Sequence, residues 1–255
     1  MDLLRPFGNA SAGPVRLVLF PHAGEGPAPY VPFLRVAADL SEVWALRLPG
    51  REDWINQPPI SALGRLVDAI QEQWRSWVPK PTVLLGVSFG SILVHELALR
   101  IAAGGAFEGL LRAVMVSAAA PCRNSRMPAA AHLPNELLLA AMAGRYARST
   151  GVRAVDSALA ALRAPALRAD LAMVEVYQPK LKVALPLSLA VWRGDEDTTI
   201  SEADLAAWRH HYIGEFKQRC FHGGHFFLQS AGAEVRQALA HELTCATAPA
   251  PGNQS

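Results

Sequence analysis

The sequence predicts an α/β fold: a mostly parallel central sheet flanked by helices, interrupted late in the chain by a helical block. Three observations predict it. Short apolar runs alternate with stretches whose apolar residues recur at helical spacing. Those runs are continuous, as in strands buried on both faces. Residues 123–182 then read as helices rich in Ala, Leu and Arg, punctuated by Pro128, Pro134, Gly151, Pro165 and Pro179.

The elements follow in order. Val15–Phe20 (VRLVLF) has the β-branched and aromatic content of a strand and stops at Pro21. Tyr30–Leu40 has helical spacing, and Glu42–Leu48 is a strand ended by the turn pair Pro49-Gly50. Ser61–Val78 reads as an amphipathic helix with Ser61 as N-cap. Thr82–Val87 (TVLLGV) is a buried strand, and Gly90–Ala103 is a helix stopped by Gly104-Gly105. Leu111–Ala118 is another buried strand. After the helical block, Leu187–Trp192 and Glu215–Phe221 resume the strands, with helices over Glu202–His211 and Phe226–Leu243. A single domain spanning 1–255 is expected, with 123–182 as a lid insertion and the tail 246–255 disordered.

Composition narrows the function. At 51% hydrophobic and 18% charged, the chain can fill a sizeable core. Lys plus Arg number 24 against 22 Asp plus Glu, a net +2 that gives no electrostatic footprint for nucleic acid or an acidic membrane. Cys122, Cys220 and Cys245 are odd in number and far apart, which fits a reducing cytoplasm better than a disulfide framework. The N-terminus has no signal-peptide core, and no apolar run reaches the ~18 residues of a membrane span. A soluble, cytoplasmic protein is expected, monomeric by default.

The sharpest motif is Gly86-Val87-Ser88-Phe89-Gly90, a G-x-S-x-G sequence. Alone it is weak in a chain with 19 glycines. Its context is the one the motif requires: a strand before and a helix after, so that a strained turn exposes the serine hydroxyl at the sheet edge. Serine is a poor nucleophile without a base, itself held by a third group. With this turn the partners follow in the order Ser, Asp or Glu, His. Asp195, Glu196 and Asp197 follow one predicted strand, and His222 and His225 follow the next. Spacing does not choose among the three acids, and both histidines sit near the required place. His95 falls inside the helix after Ser88 and reads as a packing or surface residue. His222 and His225 have H-x-x-H spacing but no third ligand at a sensible distance, so no metal is expected. For an oxyanion hole, one donor is the N–H of Phe89; Ala23, in the Pro21–Gly24 loop after the first core strand, suits the second.

At these residues the chain resembles the type II thioesterases, stand-alone enzymes associated with polyketide and nonribosomal peptide synthesis. The resemblance is carried by FPHAG (Phe20–Gly24), LPGRE (Leu48–Glu52), GVSFG, LRADL (Leu167–Leu171) with VEVY (Val174–Tyr177), GDEDTT and GGHFFL, from about Val15 to Leu243. It departs from the family at Val87, where a histidine is common, and at Glu25-Gly26-Pro27, where a Gly/Ser-rich stretch is usual.

The resemblance implies an α/β-hydrolase fold with a helical lid, and hydrolysis of acyl groups from the phosphopantetheine arm of an acyl or peptidyl carrier protein. It implies Ser88 as nucleophile, His225 as base, Asp197 rather than Asp195 as the acid, and Ala23 with Phe89 as oxyanion donors. LPGRE and LRAD look structural or lid-positioning. No cofactor is implied, because phosphopantetheine belongs to the substrate. Leu137, Leu138, Leu139, Met142 and Met173 are candidates for an acyl pocket or for helix packing. Arg145, Arg148, Arg153, Arg163 and Arg168 could meet an acidic carrier, although most of them read first as a solvated helix face. The same triad would also serve a free-standing carboxylesterase or acyltransferase acting on small molecules. A non-catalytic carrier-binding protein that keeps the fold is the reading from another class.

Overall fold

The structure is a computed structural model that describes residues 2–8, 13–104, 110–126, 129–146, 157–178 and 184–247. Its centre is a seven-stranded sheet: β1 (Leu4–Pro6), β2 (Arg16–Phe20), β3 (Glu42–Leu46), β4 (Thr82–Val87), β5 (Leu110–Val116), β6 (Ser188–Gly194) and β7 (Phe216–Phe221). The spatial order is β1-β3-β2-β4-β5-β6-β7. β1 runs antiparallel to β3, and every other pairing is parallel. The edge strand β1 has no counterpart in the sequence reading, since three residues carry no measurable period.

Helices cover both faces. On one side α2 (Leu63–Arg75), α3 (Phe89–Ala103) and the short α6 (Glu202–Ala206) contribute Leu66, Ile70, Leu93, Leu97 and Leu205 to one core cluster. On the other, α1 (Val31–Ala38) and α7 (Ala233–Thr247) contribute Phe33, Leu34, Val235 and Leu239 to a second. β4 shows why its sequence reads as unbroken apolar: Val83, Leu85 and Val87 feed the second cluster and Leu84 the first. Among the described residues, no helix is long and apolar enough to cross a membrane.

Boundaries differ from the sequence reading in physically simple ways. Ser61 does not cap α2; the N-cap is Ala62, in extended geometry without a side-chain bond, and the helix starts at Leu63. The expected helix over Glu202–His211 is α6 followed by a 3₁₀ turn at Ala207–His211. The last helix splits likewise, with a 3₁₀ turn at Phe227–Ser230 before α7, and Ala231 in left-handed geometry at the turn's end. Ala246 and Thr247, expected in the tail, complete α7, and residues 248–255 lie outside the described residues. Between β5 and β6 come a 3₁₀ turn at Pro121–Arg126, α4 (Asn135–Arg145) and α5 (Ser157–Glu175).

The parallel register lines up the strand ends. Phe20 pairs with Gly86, Val87 with Val116, and Gly194 with Phe221. The loops after β2, β4, β6 and β7 therefore leave from one edge, where ligands bind in sheets of this kind.

Candidate active site

Ser88 occupies the turn between β4 and α3. Its φ of 51° and ψ of −114° are sterically unfavourable for a residue with a Cβ, and the position is held from both sides. The Ser88 N–H donates to the Val116 carbonyl at 2.8 Å, while its own carbonyl accepts from Ser91 at 3.0 Å. Gly90 is required for close approach: a Cβ there would collide with the carbonyl oxygen of Phe20, at the end of β2. That contact presses the start of α3 against the loop containing Ala23. Phe89 is the first residue of α3, so its N–H has no acceptor within the helix.

The acids and histidines left open by spacing sort into two pairs. Asp197 Oδ2 lies 2.8 Å from His225 Nδ1, and both residues are buried. Asp195 faces outward and meets His222 at 3.6 Å, with both side chains more than half exposed. Gly194 makes this sorting possible, because a Cβ there would run into the Gly223 carbonyl. With that gap closed, the Glu196 N–H reaches Gly223 O at 2.9 Å and the Gly223 N–H reaches Asp195 Oδ1 at 2.9 Å. The two loops are thereby laced together with Asp197 and His225 on the inner side. Burial alone would raise the Asp197 pKa, but the bonds from His225 and Thr199 outweigh it and hold the carboxyl below its usual range. With Nδ1–H donated to Asp197, the lone pair of His225 is on Nε2.

Three further contributors are not marked as site residues by the sequence, although two of them lie inside its motifs. Tyr146, immediately after α4, hydrogen-bonds Ser88 and sets its ring 4.5 Å from that of His225. His22, inside PHAG, stands 2.6 Å from the Tyr30 hydroxyl and 4.6 Å, ring to ring, from Phe226. Its burial, then the proximity of His225, Arg51 and Arg163, pushes its pKa down to about 3, so it is neutral. Thr199, the last residue of GDEDTT, gives Asp197 both its N–H and its hydroxyl.

The LPGRE and LRADL motifs meet in space. Arg51 forms a two-pronged ion pair with Asp170 of α5, at 2.6 and 3.1 Å, and both are buried. Asp170 also accepts the Gly24 N–H at 2.7 Å. Beside it, Leu138 is fully buried in a small cluster with Leu171 and Ala130, against which Ala23, Met142 and Leu167 pack. Leu137 does not join this cluster; it lies on the outer side of α4 and is 56% exposed, because adjacent helix positions point in different directions. Met173 packs in the main core. The arginines read as a solvated face or a docking surface are partly engaged: Arg163 pairs with Glu25 at 2.9 Å, and Arg168 bonds Asn135 at 2.7 Å and the Ala131 carbonyl. Arg145 lies 5.7 Å from the Tyr146 ring, and Arg148 and Arg153 lie outside the described residues. His95 is fully buried among Trp208, His211 and Tyr212.

Known proteins share this architecture. The chain is 35% identical over 92% of its length to a probable cadicidin biosynthesis thioesterase of Streptomyces griseus, of which it spans 65%. It is 26% identical to the gramicidin S biosynthesis protein GrsT of Aneurinibacillus migulanus, covering 94% of this chain and 93% of that one. The solved type II thioesterase BorB, from the borrelidin biosynthetic cluster, superposes with a TM-score of 0.82 at 26% identity, over 96% of this chain and 97% of that one. A family model for the thioesterase domain matches residues 15–243, and the chain belongs to the thioesterase family.

Proposed function

We propose that this chain is an editing thioesterase: it hydrolyses acyl groups from the phosphopantetheine arm of acyl or peptidyl carrier proteins in polyketide or nonribosomal peptide synthesis. The observation that carries the reading is the buried Asp197–His225 pair at the sheet edge that bears the strained Ser88, in a chain of the thioesterase family. The likeness to the cadicidin and BorB thioesterases supports the carrier-bound substrate.

In the first half-reaction His225 Nε2 takes the Ser88 proton as Oγ attacks the thioester carbonyl. Asp197 keeps the imidazole in the Nδ1–H tautomer and stabilises the imidazolium. The N–H groups of Ala23 and Phe89 hold the oxyanion. The tetrahedral adduct collapses, the C–S bond breaks, and the thiol leaves with a proton from His225. Water, deprotonated by the same histidine, then attacks the acyl-serine, releasing the acid and regenerating Ser88. The enzyme works as a cytoplasmic monomer with no metal or cofactor of its own; phosphopantetheine arrives on the carrier. α4 and α5 act as the lid, and Leu138 and Met142, packed with Ala23, are the best placed of the expected acyl-pocket residues.

Intact-mass spectrometry of an acyl-phosphopantetheinyl carrier protein tests this, with wild type and Ser88→Ala side by side. Loss of the acyl mass with wild type alone is expected. Retention with both, across short and long acyl groups, overturns the carrier-unloading reading and favours a small-molecule esterase.

A further inference from the structure

The proposed mechanism assigns no role to the buried Arg51–Asp170 ion pair beside the site. Asp170 is 0% exposed and Arg51 is 4% exposed. Removing two such charges from water is costly, and an apolar pair of similar volume commonly serves stability as well. The carboxylate is nonetheless fully used: its oxygens accept two N–H groups from Arg51 and one from Gly24, three charge-assisted bonds converging on one group. The Gly24 bond joins it to the active site, because Gly24 follows the proposed oxyanion donor Ala23.

The local geometry makes this loop dependent on α5. Gly24 has a φ of +81°, and a Cβ there would stand 3.0 Å from the Leu167 Cβ, so the backbone rests directly on α5 one turn before Asp170. Ala23 packs against the cluster containing Leu138 and Leu171. Arg51 adds a long bond from Nη1 to the Glu25 carbonyl at 3.4 Å, and Arg163 of α5 pairs with the Glu25 side chain. The loop after β2 is thus tied to α5 at two successive residues. Among the described residues it has no strand partner beyond Phe20; its other ties are the His22–Tyr30 bond and the Glu25 N–H to the His22 carbonyl at 3.3 Å.

We infer that Asp170 is a positioning residue for the oxyanion hole: by holding the Gly24 N–H it fixes the peptide frame of Ala23, and it makes the hole's geometry depend on the seat of α5. This rests on the thioesterase reading above. An oxyanion donor must sit 2.7–3.1 Å from where the oxyanion will be, and a displacement of about 1 Å costs on the order of 100-fold in rate. A helix counted as part of the lid therefore belongs to the catalytic scaffold.

The test uses an acyl-N-acetylcysteamine thioester for turnover and an acyl trifluoromethyl ketone, whose adduct with Ser88 places an oxyanion in the hole. Arg51→Met/Asp170→Leu removes both charges together, leaving no unpaired buried ion; Asp170→Asn keeps an acceptor for Gly24. The double variant is expected to lose roughly 10- to 100-fold in kcat, with KM changed less than about threefold. Its ketone affinity should fall by a matching factor, and Asp170→Asn should recover a large part of both. A double variant with wild-type kcat, or with reduced kcat and unchanged ketone affinity, overturns the inference. If the double variant does not fold, Asp170→Asn carries the test, because a several-fold parallel loss in kcat and ketone affinity is still expected. Wild type inactive on every thioester would instead sink the thioesterase reading, and the inference with it. An active wild type with an indifferent Asp170 sinks the inference alone.

Discussion

The Thr199 hydroxyl lies 2.6 Å from Asp197 Oδ1, leaving Oδ2 to accept from His225 Nδ1 at 2.8 Å. One carboxylate oxygen is thus anchored by threonine and the other by histidine. Asp195, two residues earlier, is held instead by the Gly223 N–H and by the exposed His222, on the outer side of the loop. Asp197→Asn is expected to lower kcat roughly 10³- to 10⁴-fold, because an amide cannot hold the required tautomer. Asp195→Asn should leave kcat within about twofold, since the amide oxygen still accepts the Gly223 N–H and the exposed pair with His222 contributes little. Thioester kinetics on both variants check the assignment; equal losses would overturn it.

What is legible in the sequence is what is local. β2 and β4 are readable as continuous apolar runs because both their faces are buried, and the turn at Ser88 because strand, glycine and helix adjoin along the chain. Asp195 and Asp197 are not separable by spacing, because they are two residues apart on one tight loop. Which of them faces inward depends on Gly194 seating against Gly223, a contact between distant segments. Tyr146 reaches Ser88 from the end of α4, and no short-range pattern marks such a residue. The Arg51–Asp170 bond is longer-range still: the motifs are visible as motifs, but their meeting is not.

Tyr146 is bonded to the nucleophile and stands beside the base, its ring 4.5 Å from that of His225. A hydrogen bond of this kind contributes about 0.5–1.5 kcal/mol net, so removing it frees Ser88 by up to roughly tenfold. Tyr146→Phe is therefore expected to raise the rate of Ser88 labelling by a fluorophosphonate several-fold. Unchanged labelling would show that this bond does not restrain the nucleophile.

Two glycines predict opposite outcomes for one substitution. Gly90→Ala puts a methyl group into the Phe20 carbonyl, which forces α3 away from the oxyanion loop. It should cost about 1–3 kcal/mol in stability and abolish most activity. Gly144 lies inside α4, with open space where an added methyl group would stand. Gly144→Ala should stabilise by about 0.5–1 kcal/mol through helix propensity, with activity retained. Thermal unfolding of the two variants reads both signs at once.

His95 predicts a pH effect unrelated to catalysis. Its ring is fully buried beside Trp208 and His211, with Nδ1 3.2 Å from the Tyr212 hydroxyl; Nε2 has no hydrogen-bond partner among the described residues. Burial, followed by the neighbouring His211, pushes its pKa down to about 3 from 6.5. Between those values the unfolded chain binds a proton there and the folded chain does not, so stability rises with pH across that window and falls as the solution is acidified. From pH 7 to pH 5 this one group should remove about 2 kcal/mol. Urea unfolding of wild type and His95→Gln at both pH values isolates it, because the variant's general loss of packing appears at each pH and cancels in the difference. The variant should lose about 2 kcal/mol less on acidification. An identical loss in both proteins would mean that His95 takes up its proton without unfolding, and that the pocket around Trp208 and Tyr212 admits a charged ring.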